Sequence, residues 1–249
     1  MNLSQTIGLF GGGPGSGCHG ENCGRPRTES GTRSTPIRVK TIEEAIPLIL
    51  EGKVVELPDT KSVNTLLEKL ATMHTEGVNY DLCNVTVKGT NLFCGEHVGM
   101  QRINMPQFSG HSRPGSPADD LPKDAKGGVN AGEEFIAHLK SLGISTKEES
   151  VPAAYLRASQ RELVGTKVAQ MMAKKGRKLL EGKPIFVSRD NYVIDGHHRW
   201  AAVVGLDAGT KKFGNLRMDV HRVDAPISDV LHIAKKWSKM FGLESKGID

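Results

Sequence analysis

His197, His198 and Arg199 stand side by side directly after Asp195-Gly196 in the stretch YVIDGHHRWAA, residues 192–202. Apolar and β-branched residues lead into Asp195 as a strand would, and Trp200, Ala201 and Ala202 continue as a helix. Three polar side chains therefore fall on the first turn of a helix that opens at a glycine. First-turn N–H groups have no intrahelical partner and lie at the positive end of the helix dipole, so that place suits an anion. Arginine can grip phosphate oxygens as a fork, and imidazole donates hydrogen bonds or moves protons near neutral pH. Gly196, lacking a Cβ, would let a ligand approach the main chain closely. Successive helix residues diverge by about 100°, so the three side chains cannot share one face. Arg199 and His198 are the expected phosphate contacts, with His197 bordering the same opening. A plainer account, a polar helix start with Asp195 as its N-cap, explains the same spacing equally well. Trp200 is expected to pack rather than react.

The elements that must position this turn are legible on either side of it. KPIFVS and NYVID read as two strands of a hairpin, with Asp190-Asn191 in the turn, residues that tolerate positive φ. GHHRWAAVVG reads as a helix ended by Gly205, LRMDVHRVD as an alternating strand, and PISDVLHIAKKWSKMFG as a final helix burying Ile227, Val230, Leu231, Ala234 and Trp237. Upstream, STKEESVPAAYL is extended and turns at Pro152. SQRELVGTKVAQMMAKKG reads as a helix capped by Ser159, with Glu162 completing a capping box.

The chain has 249 residues, 37% apolar and 24% charged, an ordinary globular composition for one large domain or two small ones. Residues 1–36 are rich in Gly, Ser, Pro, Arg and Thr and are expected to be a disordered arm. A small α/β region follows over 37–108. It holds a capped helix at TIEEAIPLILEG, short or distorted by Pro47, then the strand KVVEL. DTKSVNTLLEKLATMHTEG is a second helix, with Val63, Leu66, Leu67, Leu70 and Met73 on one face, and LCNVTV is a strand. GTNLFCGEHVGMQRINMPQFSG has no clean periodicity; NMPQF within it reads as a docking segment without catalytic character. Residues 109–132 are a loop or linker, dense in Gly, Pro, Ser and Asp. A helix at EEFIAHLKSLG opens the last region, 133–249.

No run of about 18 apolar residues exists, so no membrane span is expected, and the N-terminus does not read as a secretory signal. The expected location is the cytoplasm of a bacterial host or a virion. Net charge is +5, with Arg25, Arg27, Arg33 and Arg38 against Glu21 and Glu29 in the first 39 residues. That is weak electrostatic support for nucleic acid, which is not favoured as a partner. The tightest basic cluster, Lys174 to Lys183, could track phosphates, but a solvated helix end is the simpler reading. Of the four cysteines, Cys18 and Cys23 flank His19, and Cys94 lies near His97. Free thiols in a reducing compartment account for Cys18, Cys23, Cys83 and Cys94 more simply than a structural zinc.

KPIFVSRDN followed by YVIDGHHRWAA resembles the ParB/sulfiredoxin superfamily, whose signature is a strand, a Gly-containing turn and a helix reading roughly G-x-[HR]-R-x-x-A. Gly196, His198, Arg199 and Ala202 fit it, and VPAAYLRASQRELVGTKVAQMM looks like that family's entry segment and preceding helix. The match covers about residues 149–225. It implies an α+β fold, a small mixed sheet packed with helices, here with the N-terminal α/β region and arm attached. It also implies a site in which the turn and helix start cradle the phosphates of a nucleotide, with Mg²⁺ and ATP or another NTP. A partition protein would carry Glu-Arg-Arg where His197-His198-Arg199 stand, and a sulfiredoxin a cysteine at His197, so neither activity is supported. No helix-turn-helix module is expected in the residues after Gly205.

Within that frame, Gly196, His198 and Arg199 would bind phosphate, with Gln160 and Lys167 contributing from the facing helix. Asp195 would hold the metal or shape the turn, and Glu162 is a second metal candidate. Asp195, His197 and His198 are the catalytic candidates. The leading expectation is an enzyme that hydrolyses an NTP or transfers its terminal phosphoryl group. A nuclease using both histidines as acid and base is the alternative, and a non-catalytic phage head-associated binding protein is the third reading. GGGPGSG, VKGTNLFC and RINMPQFSG also look like regions attached to tailed-phage head-morphogenesis proteins, which makes capsid or head proteins candidate partners. Asp190 fits its turn without further role, and His221 reads as a strand-surface residue.

Overall fold

The computed structural model describes residues 35–73, 81–94, 99–160 and 162–243, except for the side chain of Ile103. The expected disordered arm as far as residue 34, the His97 and Cys18/His19/Cys23 metal candidates and the helix stop at Gly77 lie outside the described residues. The fold is mixed α and β. Among the described residues no helix is long and apolar enough to cross a membrane.

In chain order the elements are β1 (Ile37–Arg38), α1 (Ile42–Leu50), β2 (Val55–Leu57), α2 (Thr60–Thr72), β3 (Val85–Val87) and β4 (Thr90–Asn91). Then come β5 (Ser109–Gly110), β6 (Val129–Asn130), α3 (Gly132–Ser141), β7 (Thr146–Pro152), β8 (Arg157–Ala158) and α4 (Gly165–Lys175). The chain closes with β9 (Ile185–Ser188), β10 (Tyr192–Val193), α5 (His197–Ala208), β11 (Arg217–Val223) and α6 (Ile227–Phe241).

The central layer is a mixed sheet in the order β7-β11-β9-β10-β8. Side chains alternate across a strand, and β9 shows the consequence. Ile185 and Val187 enter one apolar cluster, together with Trp200 and Val204 of α5 and Leu66 and Leu67 of α2. Phe186 enters a second cluster with Phe135 of α3 and Trp237 of α6. At β9 the sheet is therefore buried on both faces, which is why IFVS reads as a continuous apolar run rather than an alternating one. On the second face Phe108, Phe135, Phe186 and Trp237 make stacked and edge-to-face ring contacts, with Phe108 and Phe135 centroids 4.7 Å apart.

A second sheet, β1-β2-β3-β4, comes from the N-terminal region. It is joined to the central sheet at an edge: Ala158 N donates to Phe93 O at 3.0 Å and Met100 N to Ser159 O at 2.8 Å. Its helix α2 packs on α4 and α5. The first apolar cluster thus draws on residues 39–94 and 153–220 alike, and does not follow a division at 109–132. That segment is mostly loop, as expected, but it carries β5, β6 and the buried Ala118 and Val129. Arg113 N also donates to Gly242 O at 2.8 Å.

Several local expectations are met. Thr41 accepts from Glu44 N to cap α1, which continues through Pro47. Asn191 adopts φ +68° in the β9–β10 hairpin. The inward face of α6 is the expected one. Val63, Leu66, Leu67 and Leu70 of α2 are buried, whereas Met73 follows the helix end and is exposed.

Three expectations are corrected. Gly205 does not end α5, which runs on to Ala208. A Cβ at Gly205 would collide with Leu67 Cδ1, so the glycine serves close packing of α5 on α2. Second, α4 begins at Gly165 rather than at Ser159, and no Ser159–Glu162 capping box forms. Third, Cys83 and Cys94 are not free thiols. The turn between β3 and β4 folds the chain back, bringing their Cα atoms to 5.4 Å, and they form a disulfide. With 11 residues of separation, its loss is expected to lower stability by about 2–3 kcal/mol. Urea titration of a Cys83→Ser/Cys94→Ser variant against the oxidised parent checks this; coincident midpoints would contradict it.

Candidate functional site

At the end of β10 the chain passes through Ile194, Asp195 and Gly196 into α5, and these residues line a cleft of about 230 Å³. Gln160, which follows β8, and Met171 of α4 form one side. Arg102, Met105, Pro106 and Gln107, from the loop before β5, form another. His197, His198 and Arg199 complete the lining. Sequence spacing points to the α5 side but not to the opposing loop. NMPQF, which reads in isolation as a docking segment, supplies Met105, Pro106 and Gln107 as cleft wall. Nothing local signals that placement, because the loop has no periodicity and reaches the cleft only through tertiary packing.

Gly196 is the N-cap of α5, with φ +85° and no side-chain cap. The N-cap position thus belongs to Gly196, not to Asp195. The absence of a Cβ at Gly196 also serves a different purpose from the one expected: a Cβ there would meet Ile185 Cγ2 at 2.5 Å, so β9 fills that space, not a ligand. The first intrahelical bond, Trp200 N to Gly196 O, is 3.0 Å. Trp200 packs as expected, fully buried, with its indole N–H donating to Ala153 O at 2.8 Å.

His197 is a structural residue. It is 5% exposed, and its Nε2 lies 3.2 Å from Ser159 Oγ. Ser159 in turn donates to Val193 O at 2.5 Å, so the shared network assigns the imidazole hydrogen to Nε2. Burial, reinforced by the charge of neighbouring His198 and opposed by the Val193 carbonyl, lowers the His197 pKa from 6.5 to about 3. A neutral, enclosed ring of this kind ties α5 to β10 and β8; it is not a proton carrier at neutral pH. Ser159, expected as a helix cap, is the other half of that tie.

The unfolded chain protonates His197 near pH 6.5 while the folded chain resists to about pH 3, so unfolding takes up a proton in that window. His197 thus contributes stability above pH 6.5 that is lost as pH falls toward 3, with a slope of up to about 1.4 kcal/mol per pH unit. A His197→Gln variant, compared with the parent by urea unfolding between pH 7.5 and 4, should show a shallower loss. Parallel curves would contradict this role.

Arg199 is half-buried and donates to the Lys183 carbonyl. Burial lowers its pKa and nearby Asp195 opposes that shift; the guanidinium stays charged at neutral pH. One donor is thereby committed to Lys183, which ties the side chain to the segment after Gly182. His198 is partly exposed beside it. Gln160 is 5% exposed, and its side-chain amide donates to Glu162 O.

The other candidates separate. Glu162 is exposed and outside the cleft lining, and Lys167 lies one turn before Met171 on α4, also outside it. Asp190 does more than shape its turn, because its carboxylate accepts from Ile227 N at 2.9 Å at the start of α6. His221 is mostly buried, its ring 5.2 Å from that of Phe186 and its Nδ1 3.5 Å from Glu148. Among the described residues no group of three or more His, Cys, Asp or Glu is arranged to hold a metal. Among the described residues Asp195 is the one carboxylate in the cleft lining.

Compared with known protein families, characterised proteins and solved structures, the chain matches none.

Proposed function

We propose that the cleft binds the phosphates of a nucleotide and that the protein hydrolyses an NTP or transfers its terminal phosphoryl group. One observation carries this reading: a helix N-terminus without a side-chain cap opens onto a cleft that also receives Arg199, His198 and, from the opposing loop, Arg102. The helix dipole, the guanidinium forks and the imidazole all favour the same negatively charged oxygens. Met105, Pro106, Met171 and Ile194 add apolar wall suited to a nucleoside. At about 230 Å³ the cleft is below the usual ~300–1,000 Å³ of sites that enclose a whole ligand, which suits a phosphate chain with part of its nucleoside exposed. The resemblance of residues 149–225 to the ParB/sulfiredoxin superfamily supports the same ligand.

Phosphoryl transfer relies mainly on positioning and charge stabilisation, which are what fixed arginines and backbone amides supply. Mg²⁺ commonly takes only one or two protein carboxylates when phosphates supply the rest of its ligands. Asp195 alone therefore fits a metal that arrives with the nucleotide, where it would neutralise phosphate charge. Arg102 and Arg199 would orient the oxygens from opposing walls. The burial of His197 favours this reading over a nuclease that uses both histidines as acid and base.

Thermal unfolding with ATP, CTP and GTP, each with Mg²⁺, tests the proposal, since a ligand at 100 times its Kd stabilises by about 2.7 kcal/mol. At least one triphosphate should raise the midpoint, and His198→Ala should reduce the rise. No shift with any nucleotide would overturn the proposal.

A further inference from the structure

The basic cluster of residues 174–183 does not end in open solvent; it runs up to the cleft. Met171 lines the cleft from α4, and Lys174 and Lys175, three and four positions on, lie on the same helix face one turn away. Both are exposed. The chain continues through a 3₁₀ segment, Gly176–Glu181, whose Leu179 is buried in the first apolar cluster while Arg177 and Lys178 stay exposed. It then passes behind Arg199 at Lys183, whose carbonyl receives the guanidinium of that cleft-lining residue; Gly182 beside it has no Cβ to obstruct the side chain.

Lys174, Lys175, Arg177, Lys178 and Lys183 face only Glu181 as an acid within the segment, in a chain whose net charge is +5. None of the five belongs to an ion pair among the described residues. Cations that neutralise no carboxylate among the described residues, held on a segment anchored by a buried leucine, form a positive ridge. One end lies a helical turn beyond Met171 of the cleft lining, and the other touches the lining residue Arg199 through the Lys183 carbonyl.

We propose that the ridge and the cleft form one track for a single strand of nucleic acid, with one nucleotide seated at the start of α5 and flanking phosphates along residues 174–183. This rests on the reading of the cleft as a phosphate site. A single strand suits the site better than a duplex, because seating a nucleotide in a cleft of about 230 Å³ needs one that is not held in base pairing and stacking. Contacts of this kind are electrostatic and sequence-tolerant, and they weaken steeply with salt.

The test uses the full chain, fluorescently labelled 20-nucleotide DNA and RNA strands, the matching DNA duplex, and ATP with Mg²⁺. The variant is Lys174→Glu/Lys175→Glu/Arg177→Glu/Lys178→Glu, whose substitutions are all at exposed positions. A strand should bind the parent more tightly than the duplex does, and ATP should compete. The variant should bind the strand at least about tenfold more weakly at moderate salt, with a salt slope reduced by about 2–3, while still binding ATP. Equal strand affinity in parent and variant, or duplex binding as tight as the strand's, would overturn the track. If ATP binds the parent and no strand does, the track fails and the cleft reading stands; if a strand binds but ATP neither binds nor competes, the cleft reading fails with it.

Discussion

Gly196→Ala is expected to destabilise the protein by about 2–4 kcal/mol, because two costs fall on one atom. The backbone at Gly196 has φ +85°, and the added Cβ would stand 2.5 Å from Ile185 Cγ2. Leaving the left-handed conformation would relieve both, but only by re-aiming the first turn of α5, which His197 holds through Ser159 and Val193. Those two constraints oppose each other, so the strain cannot relax locally. A double-mutant cycle with Ile185→Ala separates the terms: the steric part should disappear in that background and the conformational part persist, giving a coupling of about 1–2 kcal/mol. Strict additivity of the two substitutions in urea unfolding would show that Ile185 does not set the identity of residue 196.

The second large effect concerns binding. Arg199→Ala is expected to weaken nucleoside triphosphate binding by about 2–4 kcal/mol, roughly 30- to 1,000-fold, the range for truncating one partner of a partly buried charged pair. The position is sensitive because the guanidinium is fixed before any ligand arrives, by the Lys183 carbonyl and by the neighbouring Asp195 charge. Arg199→Lys should not restore affinity, since an ammonium cannot serve the carbonyl and a phosphate edge with one planar fork. Calorimetric titration of both variants, at a temperature where each is folded, checks this. Parent-like affinity in Arg199→Ala would remove the residue from the site.

What the sequence reveals depends on where each signal resides. The face of α6, the β9–β10 hairpin and the inner face of α2 are legible because periodicity and turn chemistry are local. Ser159 and Glu162 mislead for the same reason. Their spacing satisfies a capping rule, yet the Ser159 hydroxyl is used by Val193, 34 residues away, and tertiary context decides its role. Gly205 looks like a helix stop because its true constraint, Leu67, belongs to another helix. The Cys83–Cys94 bond becomes visible only once the β3–β4 turn is in place. Half of the cleft is legible, as a glycine followed by His-His-Arg. Arg102, Met105 and Gln107 are not, since an aperiodic loop carries no record of what it will face.

If the amino end of α5 receives phosphate oxygens, its backbone amides must sense them, and amide NMR of the full chain during titration with inorganic triphosphate reads this most directly. The expected result is progressive, saturating shifts of the His197, His198 and Arg199 amides, together with the side-chain signals of Arg102 and Arg199. Saturable binding that leaves those amides unmoved and perturbs signals elsewhere would contradict it.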